Sequence, residues 1–522
     1  MSTPFHENSP ETIQRRRVGE IPLLLRISQR LGLREMLGRY IKSHGNLRIP
    51  TVDSLLLLLF NMTSGRQPLY ELEQWALGID SRLLGYHCFE EGLFNDDRFG
   101  RALDKLYETD RASLMTEVAM RVVKTFELDL SRIHNDSTSV KAFGRISGTT
   151  RSGLYLHRGV SKDHRPDLKQ LVFCLTISAD GAVPIHYKTY PGNRTDDTTH
   201  IETWNCLAQI TRKVDFLYVA DCKVCTDRQL SYIVGHGGQV ITVIPETWKE
   251  TQTFKAQLLA KRIPKKRICR IPIPGHHGQF ETFSCFLGSY RTTKAGYPIH
   301  WIYSTEKKKR DRQSRESALK WTEKQLAYLT GKLNTRNLKT QTEILQRAEA
   351  ILDKHKVADF YHLNISEVKE RHTRQIGKGR PGRKTRFRTF TTTSYSLSWI
   401  RNQEVLKKQQ KRDGIFPILC TDPKLSAKQA LESYKYQPNL EKRFSQFKTV
   451  HNAAPLLFKK IKRVEAIMFL FFLSLILQAA LEREVRLKMK RNKIVALPVY
   501  PEHRIAQGLG IDRHKPLTSK KM

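Results

Sequence analysis

Two aspartates and one glutamate stand where folding would bring carboxylate oxygens to the edge of a sheet. Asp136 falls within RIHNDSTSV, which reads as a β-strand. Asp221 closes FLYVAD, a short apolar strand, and the end of such a strand lies at the sheet rim where ligands usually bind. Glu441 lies in PNLEKRFSQFK just after Pro438, a residue suited to a first helical turn. Two Asp and one Glu from separate elements can hold hard divalent cations through oxygen. Two such ions ~3.5–4 Å apart activate an attacking oxygen and stabilise a leaving oxygen in phosphodiester displacement. The protein's own task is then to position the strand and neutralise charge. Order alone does not isolate the trio. Asp163, Asp167, Asp180, Asp196 and Asp197 compete with Asp221 for the second place, and any one acid reads as a salt-bridge partner in so basic a chain.

The spacing around Glu441 adds to the case: Tyr434, two residues, Gln437, three residues, Glu441, six residues, Lys448. On an unbroken α-helix Glu441 and Lys448 share a face, from which the Lys reaches a DNA phosphate. Tyr434 and Gln437 join that face only if the helix runs through Pro438. A second basic signal is GKGRPGR, with Arg380, Arg383 and then Lys384. It resembles the Gly-Arg-Pro core that lies in narrow AT-rich minor grooves; the competing reading is a solvated basic loop. His134 points to the same side of its strand as Asp136, and its expected role is hydrogen-bonded packing. Lys162, Asp163, Arg165 and Asp167 form a charged cluster that either contacts DNA or pairs internally. The Cys222–Cys225 pair, and the set Cys269, His276, His277 and Cys285, lack the further ligands or spacing of a convincing zinc site.

The elements that must position these residues follow from periodicity. Residues 20–125 carry apolar residues at helical spacing. Arg98, Arg101 and Lys105 make a basic stripe there, facing either phosphate or solvent. From residue 130 the order is strand, strand, strand, helix, strand, helix, strand, with a hairpin at Asp180-Gly181 and a Thr/Asp cap before the first of these helices. Three antiparallel strands followed by strand–helix alternation predict a mixed α/β sheet with helices on its faces. Residues 246–413 read as short strands and turns, KAQLLA among them, then two helices, and then a very basic Gly/Pro-rich stretch, KERHTRQIGKGRPGRKTRFR, expected as a loop. DGIFPILCTD reads as a strand, and helical sequence follows to about 490. AIMFLFFLSLILQAAL falls short of the ~20 apolar residues of a membrane span and is expected as a buried core helix, so no membrane partner is foreseen.

The 522 residues are enough for about two to four domains. Lys and Arg number 90 against 51 Asp and Glu, a net charge of +39 that calls for a polyanionic partner, and nucleic acid fits best. The eight cysteines show no disulfide framework, which suits a reducing cytoplasm. The first residues lack the apolar core of a signal peptide.

The chain resembles the DDE transposases of bacterial insertion sequences, in particular the group with a Tyr-(2)-Arg-(3)-Glu-(6)-Lys signature. Tyr434, Glu441 and Lys448 match, while Gln437 stands where the signature has Arg. The resemblance extends to HNDSTSV, GVSKDHRPDLKQLVF, PGNRTDD, YVADCKV, GRQPLYELEQWALG and FNDDRFGRALDKLY, and so covers most of residues 20–480. It implies an RNase H-like core interrupted by a β-rich insertion. The expected division is a helical domain at 1–125 for DNA-end binding or dimerisation, the core at 126–245 and 414–490, the insertion at 246–413, and a basic tail at 491–522. It implies Asp136, Asp221 and Glu441 as catalytic metal ligands for two Mg2+ ions, with Mn2+ substituting. It implies Tyr434, Gln437, Lys448, Arg380, Arg383 and Lys384 on DNA. The expected partners are double-stranded DNA (terminal inverted repeats and target) and a second copy of the chain in a synaptic homodimer within a bacterial cytoplasm. Two alternatives stay open: an RNase H-fold, metal-dependent endonuclease that does not join strands, and an inactive DNA-binding derivative.

Overall fold

Local capping signals set the N-terminal helices α1 (Ile21–Leu31), α2 (Leu33–Tyr40), α3 (Thr51–Thr63), α4 (Leu72–Leu77), α5 (Asp96–Glu108) and α6 (Arg111–Phe126). The computed structural model describes residues 16, 18–42, 47–159, 165, 167–195, 198–273, 278–288, 292–335, 338–453 and 456–497. α1 ends at Gly32, whose φ of 62° lets its N–H turn back to the carbonyls of Gln29 and Ser28. The Asn95 side chain caps α5, and that of Asp110 caps α6. The chain divides into two units, Met1–Val243 with Leu419–Met522, and Ile244–Ile418.

The first unit is mixed α/β. β1 (Arg132–Lys141) pairs antiparallel with β2 (Gln170–Ser178), which pairs antiparallel with β3 (Pro184–Pro191). The turn between β2 and β3 holds Gly181 at φ 78° and Ala182 at φ 53°. On its other side β1 runs parallel to β4 (Leu217–Val219), and β4 parallel to β5 (Gln239–Val243). Parallel neighbours require a crossover; α7 (His200–Thr211) precedes β4 and α8 (Asp227–Gly235) joins β4 to β5. The Thr226 side chain caps α8; Thr199, at the N-cap of α7, makes no side-chain cap bond, and Asp196 and Asp197 of the expected Thr/Asp cap lie outside the described residues.

The second unit holds α9 (Lys249–Ala260), an antiparallel set β6 (Lys265–Pro272), β7 (Phe280–Phe286) and β8 (Ile299–Ser304), then α10 (Thr305–Thr330) and α11 (Gln341–Lys354). KAQLLA, expected among strands and turns, is the C-terminal half of α9; its Phe254 stacks on Trp301 at 4.0 Å. The stretch expected as a basic loop is instead the outer part of a long hairpin, β9 (Tyr361–Gln375) paired in full register with β10 (Phe387–Arg401). The reason lies in the returning strand. TFTTTSYSLSW is rich in β-branched and aromatic residues, and it draws the charged strand into the ladder. α12 (Gln403–Gln410) follows, and β11 (Ile415–Cys420) leads back into the first unit.

There α13 (Ala427–Tyr434), α14 (Pro438–Ser445) and α15 (Ile461–Arg491) complete the core. Phe173 of β2 stacks on Phe447 at 4.4 Å, and Tyr187 of β3 meets Phe472 of α15 at 4.8 Å. α15 is long and apolar enough to cross a membrane, yet 89% of its most apolar window is buried inside the protein. Its charged ends are paired internally: Arg463 with Asp104, Glu465 with Arg111, Arg483 with Asp180. Each fully buried Leu or Phe of this helix contributes about 1.5–3 kcal/mol.

Candidate functional site

Asp136 and Asp221 stand at the same level of neighbouring parallel strands. His134 pairs with Val219, and each aspartate follows two residues later on the same face. Strands in a sheet lie ~4.8 Å apart. β4 ends at Val219, so Asp221 sits just beyond its C-terminal end, where its Oδ1 accepts from the Lys223 N–H at 3.0 Å. Thr242 of β5 donates to the Asp221 carbonyl at 2.7 Å. Asp136 Oδ1 accepts from the Ser137 N–H at 2.7 Å. Both aspartates are half-buried.

α14 brings Glu441. Pro438 opens this helix, and Glu441 lies exposed in its first turn. The helix is held to β1 through Gln437: its Oε1 lies 2.9 Å from His134 Nδ1, and its Nε2 donates to the Asn135 carbonyl at 3.2 Å. Gln437 is buried, with both ends of its amide engaged inside the protein. In this structure the residue is part of the clamp between helix and sheet. An arginine here would press a cation into a buried site beside an imidazole. His134 has the packing role foreseen for it. Burial drives its pKa down to about 4, with the Gln437 bond opposing, so the ring is neutral; it leans on Tyr436 at 5.1 Å.

Tyr434, the last residue of α13, connects the three acids electrostatically. Its phenol is pushed up to about 12, first by burial and then by the acidic groups of Asp221, Cys222, Asp136 and Glu441. One hydroxyl thus feels all three carboxylates. Tyr218, which accepts or donates a 2.9 Å bond with His200, is raised by burial and, more weakly, by Asp221 and Asp136. Among the described residues no three His, Cys, Asp or Glu side chains are grouped closely enough to hold a metal ion. The acids border one region without closing on a point.

Two of the competing acids are otherwise engaged. Asp180 binds Arg483, and Asp167 binds Arg165 at 2.7 Å. Asp163, Asp196, Asp197, Lys162, His276 and His277 lie outside the described residues. Lys448 does not share the Glu441 face in the way expected, because α14 gives way to a π-helical turn at Gln446–Val450. The wider turn rotates the later residues off an α-helical register, and such turns recur at functional sites. Arg380, Arg383 and Lys384 are exposed at the tip of the β9–β10 hairpin in the second unit. Arg98 turns back to the Ile49 carbonyl and Lys105 to Glu108, which breaks up the expected basic stripe. Neither Cys222 nor Cys225 forms a disulfide.

Three contributors escape sequence reading. Asn135 accepts from Thr176 at 2.8 Å and Cys174 at 3.2 Å, fixing the strand beside Asp136; the signal was a polar run in a strand that folding buries. Thr242 supports Asp221 from the next strand. Arg443 is buried and donates to the carbonyls of Ala182 and Gly181 and to Glu482. In sequence it looks like any solvated residue of a basic helix.

Residues 13–120 match a family profile described as a domain of unknown function, DUF4277. No curated protein matches the chain. Among solved structures, the chain is similar at 8% identity to a piggyBac transposase synaptic complex with hairpin DNA. That overlay covers 92% of this chain and 85% of the other with a TM-score of 0.31, too low to argue fold or function from.

Proposed function

We propose that the protein is a DDE transposase of the bacterial insertion-sequence type, with an RNase H-like core, that cleaves DNA at element ends and joins the freed 3′-OH to target DNA. The observation that carries this reading is the placement of Asp136 and Asp221 at the same level on neighbouring parallel strands, with the helix that bears Glu441 bonded to the Asp136 strand through Gln437. The donor set fits Mg2+ or Mn2+: three carboxylates, one within β1, one just past the end of β4 and one on α14, offer only hard oxygen. Asp136, Asp221 and Glu441 would hold the cations, and bound cations would supply activation of the attacking oxygen and charge stabilisation of the leaving oxygen.

The chain's own residues do the rest. The His134–Gln437–Asn135 bonds fix α14, and with it Glu441, against the strand bearing Asp136. Tyr434 keeps its proton at neutral pH, its phenol pushed up to about 12 by burial and then by neighbouring acidic groups. The excess of 90 basic over 51 acidic residues draws the duplex in and offsets phosphate repulsion. Duplex DNA and a second copy of the chain are the proposed partners.

The test uses DNA bearing the element's terminal inverted repeats, a target plasmid and Mg2+. The native protein should nick and join. Asp136→Asn, Asp221→Asn and Glu441→Gln should each lose on the order of 10³-fold in cleavage, several kcal/mol of transition-state stabilisation, while still binding the ends. Undiminished cleavage by all three variants removes the site. Cleavage with no joined product reduces the activity to that of a nuclease.

A further inference from the structure

We propose that the outer part of the β9–β10 hairpin is a DNA-binding ribbon that lies in the major groove of duplex DNA; this rests on the reading of the protein as a DNA enzyme.

The base of the hairpin is anchored. Tyr361 and Leu397 are buried with Leu319, Leu326 and Ile344 of α10 and α11, and Arg401 bonds to Glu323 at 2.6 Å. Beyond Ile365 and Tyr395 this support ends. From Val368 to Gln375 on β9, and from Phe387 to Thr393 on β10, nearly every residue is exposed on both faces. A two-stranded ribbon without a core is marginal by itself, so a partner that covers it would contribute directly to its order.

Charge identifies the partner. Segment 368–388 carries nine Lys or Arg against one Glu, an excess of eight cations (nine minus one). Arg374 and Arg388 are directly opposite each other in the ladder, and like charges in that position repel. Neither makes an ion pair among the described residues, whereas Lys369 and His372 of the same strand pair with Glu367 and Glu370. An unrelieved arginine pair facing water is stable once an anion spans it, and phosphate accepts guanidinium forks well. Thr373 and Thr389 on the opposite face, their hydroxyls 3.4 Å apart, offer hydrogen bonds as well. The exposed apolar residues do not form a protein-docking patch, since Phe387 and Phe390 project from opposite faces.

Shape selects the groove. The free ribbon extends about 27 Å at ~3.4 Å per residue. The major groove, ~12 Å wide, admits a two-stranded β-ribbon, whereas the minor groove at ~6 Å does not. Gly377 and Gly379, at φ 107° and 116°, give the tip backbone conformations that other residues rarely adopt.

The experiment titrates the full chain into a fluorescein-labelled, mixed-sequence duplex over a series of salt concentrations. Arg374→Ala/Arg388→Ala should bind about tenfold more weakly, and its slope of log affinity against log salt should shrink by roughly 0.9, for the one phosphate that the pair no longer neutralises. Methylation of guanine N7, which lines the major groove, should weaken native binding and have less effect on the variant. A second variant, joining residues 367 and 395 by an Asn-Gly turn, should lose the methylation sensitivity while its cluster on α10 and α11 keeps its thermal unfolding. Native binding with an unchanged slope in both variants overturns the ribbon and leaves the enzyme reading standing. Altered self-association without any change in DNA binding also overturns it. A native protein that binds no duplex at all removes both.

Discussion

Gln437 Oε1 lies 2.9 Å from His134 Nδ1, and this bond joins the helix that carries Glu441 to the strand that carries Asp136. For the amide oxygen to accept, Nδ1 must carry the imidazole proton. Gln437→Ala leaves that buried donor unsatisfied and frees the start of α14. The expected result is a loss of about 1–3 kcal/mol in stability together with slower cleavage. Chemical denaturation and the cleavage assay check it. A variant that unfolds and cleaves as the native protein does would rule out the clamp.

Three buried histidines make stability depend on pH. Burial lowers the pKa of His134, His186 and His451 from 6.5 to about 4. In the unfolded chain they titrate near the ordinary value, so between pH 6.5 and 4 the unfolded state binds more protons than the folded one. Stability is therefore present above that window and falls as pH drops through it, by up to about 3 kcal/mol per histidine. Urea midpoints measured down the window should fall, and His451→Gln should flatten the curve. A midpoint that stays level from pH 6.5 to 4 contradicts the burial argument.

The order of strands in the first unit was legible because its signals are local: alternation, Asp-Gly at a hairpin, apolar runs that must be buried. Asp221 at the end of FLYVAD was legible for the same reason. The role of Gln437 was not, since a polar residue in a basic helix gives no sign that a neutral imidazole waits on the strand opposite. Nor was the hairpin at 361–401, where charge and glycine argued for a loop and only pairing with the Thr-rich return strand decided otherwise. Lys448 failed for a geometric reason, because a seven-residue face presumes α-helical turns and the chain inserts a π turn there.

Tyr434→Phe isolates the hydroxyl that feels the three acids. With its pKa at about 12, the phenol is a neutral donor throughout the physiological range. The variant should cleave about tenfold more slowly, near 1.4 kcal/mol, by the same factor at neutral and mildly alkaline pH. A defect that grows with rising pH in that range would mean the phenol ionises, against its burial and its acidic surroundings.

Arg443 tests the second fastening of α14. Burial by itself would raise the Glu482 pKa, yet Arg443 and Arg486 hold the carboxyl below its usual range. Arg443 lies 3.0 Å from Glu482 with its side chain 3% exposed. Arg443→Met keeps the volume but leaves the carboxylate with Arg486 as its remaining cation, and stability should fall by roughly 1–3 kcal/mol. Because the pair is linked to Gln446 at the start of the π turn, Arg443→Met/Glu482→Leu should recover part of that loss. Failure of the double variant to recover any would show that the carbonyl bonds to Gly181 and Ala182 matter more than the charge pair.

Removal of divalent cations separates chemistry from binding. Asp136, Asp221 and Glu441 are the proposed metal ligands, so chelation should stop cleavage while the basic surface still retains the duplex. Mg2+ or Mn2+ should restore the rate, and Ca2+, larger and looser in its coordination, should support binding with little cleavage. Asp136→Cys sharpens the test. A thiolate is a softer donor than a carboxylate, so this variant should be nearly inactive with Mg2+ and regain part of its rate with Mn2+. Equal recovery with both ions would place Asp136 outside the metal-binding set, and cleavage that survives chelation would show that the three acids serve some purpose other than holding metal.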